Sequence, residues 1–593
     1  MERYSLLSME GVKKGKELMQ VALGHEKADF AIVNGALLNV YTGELLKDWA
    51  VLSKGAWIAY VGDDPGDSIG PDTEVLDAAG KILVPGFIDG HTHLADGLYN
   101  PVEFLRYAMA GGTTTIITET IEPFPIAGVE GVVDFLNAFK DQPIKVFATA
   151  PAMASTSRAS HGVPIETLKR LLSRDDVIGL GESYWQSVLQ KPDTFLPNFR
   201  ETLLSGKKLE GHSAGAKGRS LTAYVAAGIS SCHEPITSDE VLERLRLGLH
   251  VMLREGSIRR DLAALSEIKD KGVDLRRLIL VTDGVGPEDL LAKGYMEHLV
   301  QKAVDLGFDP VSAIRMATIN VAEYFQLDGI VGAVAPGRHA DVLIVPDLQN
   351  LKPEIVISKG KIIAENGKLL QPPKGYAFAP ESLTSVSLPG ERTPSDFIIA
   401  VDKAASHVNV RVIDQISELV TREFLTSVPV IAGEIRTDPD RDILKVATID
   451  RRFVPGKTYV GLIRGFRLKR GALAFSSAWD TADIIVVGEN DEDMAAAVNR
   501  IHELQGGAVL CSGGHVLVEV PLPILGILSD LPLPTLAERV ERLTRTMRDQ
   551  GFPFDDPLRT LATLTGAAIP FLRICEEGLV DIKSGETVPL ILD

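Results

Sequence analysis

Cysteine is almost missing from this chain: Cys232, Cys511 and Cys575 are the only three in 593 residues. None belongs to a CxxC pair, so neither a disulfide framework nor a thiolate zinc knot can be assembled, and the expected compartment is a reducing cytoplasm. Positive charge is also in deficit. With 61 Lys and Arg against 80 Asp and Glu, the formal net charge is −19, the wrong sign for a phosphate backbone, and no nucleic-acid partner is expected. No unbroken apolar run is long enough to cross a bilayer, and MERYSLLSMEGVKKGKELMQ lacks the apolar core of a signal peptide, so no membrane partner is expected either. No G-x-G-x-x-G follows an early strand, which argues against a dinucleotide-binding fold.

What remains is a foldable chain, 45% hydrophobic and 24% charged, whose length predicts roughly two to four domains. Between Met9 and about Leu23 the apolar residues Val12, Leu18, Val21 and Ala22 recur at helical spacing. Short strand-like runs follow, FAIVNGALLNVYTGE, WAVLSKGAWIAYVG and KILVPG, and similar runs return much later as VGAVAPGRHADVLIVPDL and EIVISKGKIIAENGK. Between the two groups TTTIIT, KVFAT, VIGLGE, KLEGHS, GISSCHE and LILVTDG read as buried strands separated by helices. Such alternation predicts an α/β fold: a (β/α)8 TIM-like barrel over 86–328, with an open doubly wound sheet as the alternative. The flanking segments, 1–85 and 329–370, predict a composite small β-sandwich domain. After the Pro- and Gly-rich linker QPPKGYAFAPESL, residues 384–593 predict an additional C-terminal α+β domain.

The chemistry concentrates at strand ends. In VPGFIDGHTHL, His91 and His93 share one strand face because side chains alternate with period two. Glu182 ends VIGLGE, His212 lies in KLEGHS, His233 and Glu234 end SSCHE, and Asp283 lies in LILVTDG. Taken singly, His212 reads as a turn histidine, Asp283 as a turn former before Gly284, and Glu182 as a helix N-terminal carboxylate. Taken in order, His91, His93, Glu182, His212, His233 and Asp283 supply N and O donors at successive barrel mouths, enough for two divalent ions bridged by Glu182. A first shell without sulfur fits Zn, Mn or Fe(II). Asp283 is the candidate proton carrier beside a water acidified by two ions. The remaining histidines, His25, His161, His250, His298, His339, His407, His502 and His515, are expected in helical or turn contexts with structural or solvated roles.

Several segments carry a resemblance: VIGLGES, EGHSAGAKGRSLTAYVAAGISSCHE, VMLREGS and PVSAIRMATINVAEYF, then LIRGFRLKRGALAFSSAWDTADIIVVGENDEDMAAAVNR and VEVPLPILGILSDLP. With them the chain resembles the amidohydrolase superfamily and, within it, the adenine deaminase family, from about Asp29 through the C-terminal region. The resemblance implies hydrolytic deamination of adenine to hypoxanthine and ammonia by a metal-bridged hydroxide attacking C6. It implies a glutamate, Glu182, where many relatives carry a carboxylated lysine, a proton shuttle at Asp283, and Glu234 or Glu122 as proton donor to ring N1. Two divalent ions per chain are expected, Mn or Fe(II) ahead of Zn, with a homo-oligomer of two or more subunits. The chain departs from the family pattern at Leu94-Ala95-Asp96-Gly97, at Glu119-Thr120-Ile121-Glu122, at Asp283-Gly284 and in DRRFVPGKTYVG. Those departures keep two alternatives open: an amidohydrolase for another purine or related heterocycle, or a weakly active paralogue with a regulatory role.

Overall fold

The structure, a computed structural model, describes residues 9–401 and 406–592. Eight short parallel strands form the centre: β1 (Phe87–Thr92), β2 (Thr113–Thr118), β3 (Lys145–Ala150), β4 (Val177–Tyr184), β5 (Lys208–His212), β6 (Ser231–Cys232), β7 (His250–Arg254) and β8 (Leu278–Val281). Helices such as Pro101–Ala110, Ile165–Leu172, Ser238–Arg246 and Met296–Asp305 cover them, which is why the strands are buried on both sides and read as apolar runs. β1 to β5 pair as one sheet and β6 to β8 as another. The Ser230 N–H donates to the Leu209 carbonyl at 3.0 Å and the Asp283 N–H to the His91 carbonyl at 3.1 Å, which closes the two gaps and makes the sheet a barrel. An open sheet would leave these groups apart.

Three details differ from the sequence reading. β7 lies outside the runs that read as strands, because HVMLR begins and ends in basic residues. GISSCHE contributes only the two ladder residues of β6, since the chain leaves the sheet where His233 turns into the mouth. His250, His407 and His515 open strands (His250–Arg254, His407–Gln415, His515–Pro521) instead of lying in helices or turns.

The early and late β segments join into a single nine-stranded sheet. The seam is Ile82–Pro85, which runs antiparallel to Val342–Val345, and Phe30, Ile32, Leu83, Val342 and Ile344 share its core. This sheet meets the barrel at the strand starts. Lys145, the first residue of β3, is fully buried and pairs with Asp341 at 2.7 Å. Gly112, just before β2, has φ +90°, and a Cβ there would fall 2.7 Å from Pro353, so this approach requires glycine.

The C-terminal region is an eleven-stranded sheet with the helices Asp491–Leu504 and Leu533–Asp549. Asn490 caps the first of these, its side chain accepting from the Asp493 N–H at 2.7 Å, and the acidic first turn suits the helix dipole. Met494, Val498 and Ile501 of its inner face pack on Ala474 and Val486 of the sheet. The region lies over the barrel mouth. The Ser529 N–H donates to the Leu98 carbonyl at 2.6 Å, the Trp479 indole N–H to Asp96 at 3.2 Å, and Ser157 to Glu576 at 2.8 Å. No described helix is long and apolar enough to cross a membrane.

Candidate active site

The structure brings all six sequence-selected candidate ligands to the C-terminal mouth of the barrel, in two groups that share Glu182. In the first, the His91 Nε2 lies 3.3 Å from Asp283 Oδ1, the His93 Nε2 lies 3.6 Å from the same oxygen, and Glu182 Oε1 is 3.9 Å from His93 Nε2. In the second, Glu182 Oε2 stands 2.9 Å from His212 Nδ1 and 3.0 Å from His233 Nε2. One carboxylate therefore presents one oxygen to each group. The two histidines of β1 converge as their period-two spacing requires. Asp283 turns inward on a left-handed backbone, φ +59°, which Asp tolerates better than most residues. Gly284, at φ +119°, continues a turn that side chains resist.

The charges are arranged for a cation. Burial would raise the Asp283 carboxyl, but Arg254 and the imidazoles outweigh it and hold it down at about 2. Burial likewise opposes ionisation of Glu182, yet His212 and His233 hold it well below the usual carboxylate range. Burial would lower the imidazoles, but Glu122 lifts His93 to about 10, and Glu234 with Glu182 lifts His212 to about 9. Ionised carboxylates thus face imidazoles that hold protons where a cation would compete for their lone pairs. The His91 Nε2 is buried without a hydrogen-bond partner. An all-N/O donor set of ten-per-cent-exposed or less side chains in its central members, His91, His93, Glu182 and Asp283, fits a divalent metal ion.

The two proton-donor candidates also reach the mouth. Glu122 Oε1 lies 2.5 Å from His93 Nδ1, which leaves the other ring nitrogen free to ligate. Glu234 Oε1 lies 3.2 Å from His233 Nε2 and receives a hydrogen bond from Arg254.

Several residues that sequence reasoning missed complete the site. Arg254 ends β7 and is almost fully buried, with Nη1 3.1 Å from Asp283 Oδ2 and Nη2 3.1 Å from Asp261. Glu210, two residues before His212 on β5, lies one layer deeper, its Oε2 3.4 Å from His91 Nδ1. Glu119 Oε1 is 3.6 Å from the same nitrogen, and burial pushes its carboxyl up to about 8. Period two on KLEGH was the available signal for Glu210. Arg254 offered none in composition, since an arginine at a strand end is ordinarily solvated.

Above the ligands lies a cavity of about 1150 Å³, beyond the roughly 300–1,000 Å³ of ordinary small-molecule sites. His93, Glu182, His212 and Asp283 form its floor, while Trp479, Asp480, Phe554 and Pro570 of the C-terminal region form part of its wall.

The chain is 37% identical to the adenine deaminase of Moorella thermoacetica over 584 residues, covering 97% of this chain and 98% of that one. The chain belongs to the adenine deaminase family. A second member, adenine deaminase 2 of Carboxydothermus hydrogenoformans, is 36% identical across 98% of this chain and the whole of its own length, 100%. Residues 82–363 match the amidohydrolase family, and residues 418–586 match the adenine deaminase C-terminal domain. The family's two parts therefore correspond to the barrel with its late β segment and to the region over its mouth. Among solved structures, a β-aspartyl dipeptidase from Fervidobacterium islandicum aligns with 59% of this chain and 100% of its own, at TM-score 0.46 and 18% identity.

Proposed function

We propose that the protein deaminates adenine hydrolytically to hypoxanthine and ammonia. The observation that carries this reading is the shared carboxylate: Glu182 divides its oxygens between His93 on one side and His212 with His233 on the other, beneath a chamber large enough for a purine. His91, His93 and Asp283 with Glu182 would hold one divalent ion, and Glu182, His212 and His233 a second, Mn or Fe(II) before Zn. Such ions, when bound, acidify a water for attack at C6. Residues 86–328 supply these ligands, and residues 384–593 close the chamber above them.

Asp283 accepts a proton at Oδ1 and delivers it toward the departing amine. Arg254 holds Oδ2 at 3.1 Å, so only Oδ1 turns toward the ligands. A carboxyl held at about 2 is a poor base for bulk water but, once protonated, a strong acid toward an amine. Charge pushed onto the ring by attack at C6 needs a proton at N1. Arg254 pairs with Glu234 and holds it well below the usual carboxylate range against the pull of burial. Glu122 keeps Oε2 unpartnered at the chamber wall, which favours it for N1.

A second reading, a larger purine derivative as substrate, is favoured by the chamber volume. The test is ammonia release by protein purified with Mn or Fe(II), from adenine and from a purine panel, with Asp283→Asn as control. Turnover of about 1 s⁻¹ or more on adenine, lost in the control, is expected. Rapid release from another purine alone gives the second reading, and no release from any purine removes both.

A further inference from the structure

Asp480 is an unusual wall for a chamber floored by carboxylates. It is 4% exposed and belongs to the C-terminal region, yet three of the groups that hold it come from the barrel, one from the end of β4 and two from the loop after β3. The Tyr184 hydroxyl donates to Oδ1 at 2.8 Å, and the Ala567 N–H donates to Oδ2 at 2.8 Å. The Asp480 backbone carbonyl accepts from Ser155 Oγ at 2.6 Å and Ser160 Oγ at 3.0 Å, and its backbone is left-handed, φ +64°. The carboxyl is therefore fixed in position and direction. Among the described residues no Lys or Arg makes an ion pair with it, whereas Asp283 and Glu234 share Arg254. Burial, with the Glu182 charge adding to it, pushes this carboxyl up to about 7 in spite of its two donors. Each carboxyl oxygen has one engaged lone pair and one to spare.

We infer that Asp480 binds the ring N–H of the substrate base and so sets a preference for the free base over 9-substituted purines. The inference rests on the deaminase reading. In its dominant tautomers adenine carries a single ring N–H, on its imidazole half, at N9 or N7. With C6 over the Glu182 cluster, that half of the base turns toward the wall, and a fixed oxygen with a spare lone pair is the complement of an N–H. Trp479, adjacent in sequence and anchored by its indole N–H to Asp96, supplies a flat apolar surface against which a purine stacks. The plainer account is that Asp480 only ties Tyr184 to Ala567. That role acts on every substrate alike. Recognition of one N–H acts only on substrates that have it, because a site built for a hydrogen bond discriminates against the analogue that lacks the donor.

The experiment compares kcat/KM for adenine and 9-methyladenine, which has no N–H on its imidazole ring, with metal content measured on every sample. Wild type is expected to prefer adenine by about 100-fold or more. Asp480→Asn is expected to lose about 10- to 100-fold in kcat/KM on adenine, mostly in KM, with 9-methyladenine unchanged and metal content at the wild-type level. Asp480→Ser is the second variant, in case the Asn amide disturbs Tyr184 or Ala567, and the same narrowing of preference is required of it. Equal losses on both substrates, or a wild type that treats them alike, overturn the inference and leave the deaminase reading standing. Metal-loaded wild type that releases no ammonia from adenine overturns that reading, and this inference with it.

Discussion

The barrel is covered at both ends, and the two covers handle buried charge in opposite ways. At the strand starts, Lys145 is matched by Asp341 at 2.7 Å, and Ser358 Oγ donates to the same carboxylate at 3.2 Å. Charge there is neutralised within the protein. At the mouth, Glu182, Asp283 and Glu234 are ionised, Arg254 answers part of that charge, and protons on His93 and His212, which a metal ion would displace, answer the rest. The first cover pairs a lysine with a carboxylate; the second balances its carboxylates with exchangeable protons, the form of a site that takes a cation. Buried carboxylates are costly unless a proton or a cation pairs them.

That contrast can be broken at either end. Asp283→Asn keeps the side chain's shape while removing its charge, and its turnover on adenine is expected to fall by about 10²- to 10⁴-fold; ammonia release at matched metal content measures this. Lys145→Met should do the reverse. Leaving Asp341 buried and unpaired costs about 3–5 kcal/mol of stability, read from the denaturant midpoint, with kcat unchanged per folded molecule. A fall in kcat comparable to that of Asp283→Asn would show that the ends are coupled. Glu210→Gln sits between the two cases, below the ligands but not among them. Weakening the hold on His91 Nδ1 is expected to reduce Mn affinity about 10- to 100-fold, measured by titrating metal-free protein.

The mildest perturbation is a change of pH. Without metal, His212 holds its proton to about pH 9 and His93 to about pH 10. Metal binding at neutral pH must therefore expel protons. Mn affinity should rise with pH by about tenfold per unit for each proton displaced, less steeply above the His212 value of about 9 and flattening above the His93 value of about 10. Calorimetry in buffers of different ionisation enthalpy counts the protons. Affinity independent of pH would mean that the imidazoles are already neutral.

The barrel was legible because its strands are short apolar runs whose last residues break the pattern with a ligand type. HxH is the clearest instance, since period two sends both rings one way. Residues that act across long sequence distances were not legible. Asp480 meets Tyr184 across 296 positions and Trp479 meets Asp96 across 383, and no local periodicity reports such a meeting. Arg254 was hidden for another reason. Its value comes from Asp283, Glu234 and Asp261 converging on it, and a strand-end arginine seen alone is ordinarily solvated. The departure at Asp96 acquires a physical role only in the fold, as the acceptor that anchors Trp479.

One consequence follows from what Glu182 is made of. A carboxylated lysine at the same place would have to capture carbon dioxide before it could bridge two ions, so its assembly would depend on dissolved bicarbonate. Glu182 leaves the ribosome with its carboxylate already attached, and the geometry of β4 delivers it between the two ligand groups. Metal-stripped protein should accordingly regain activity at the same rate in carbonate-free buffer as in carbonate-rich buffer. For this chain, the gas phase over the reaction is not a substrate for building the catalyst.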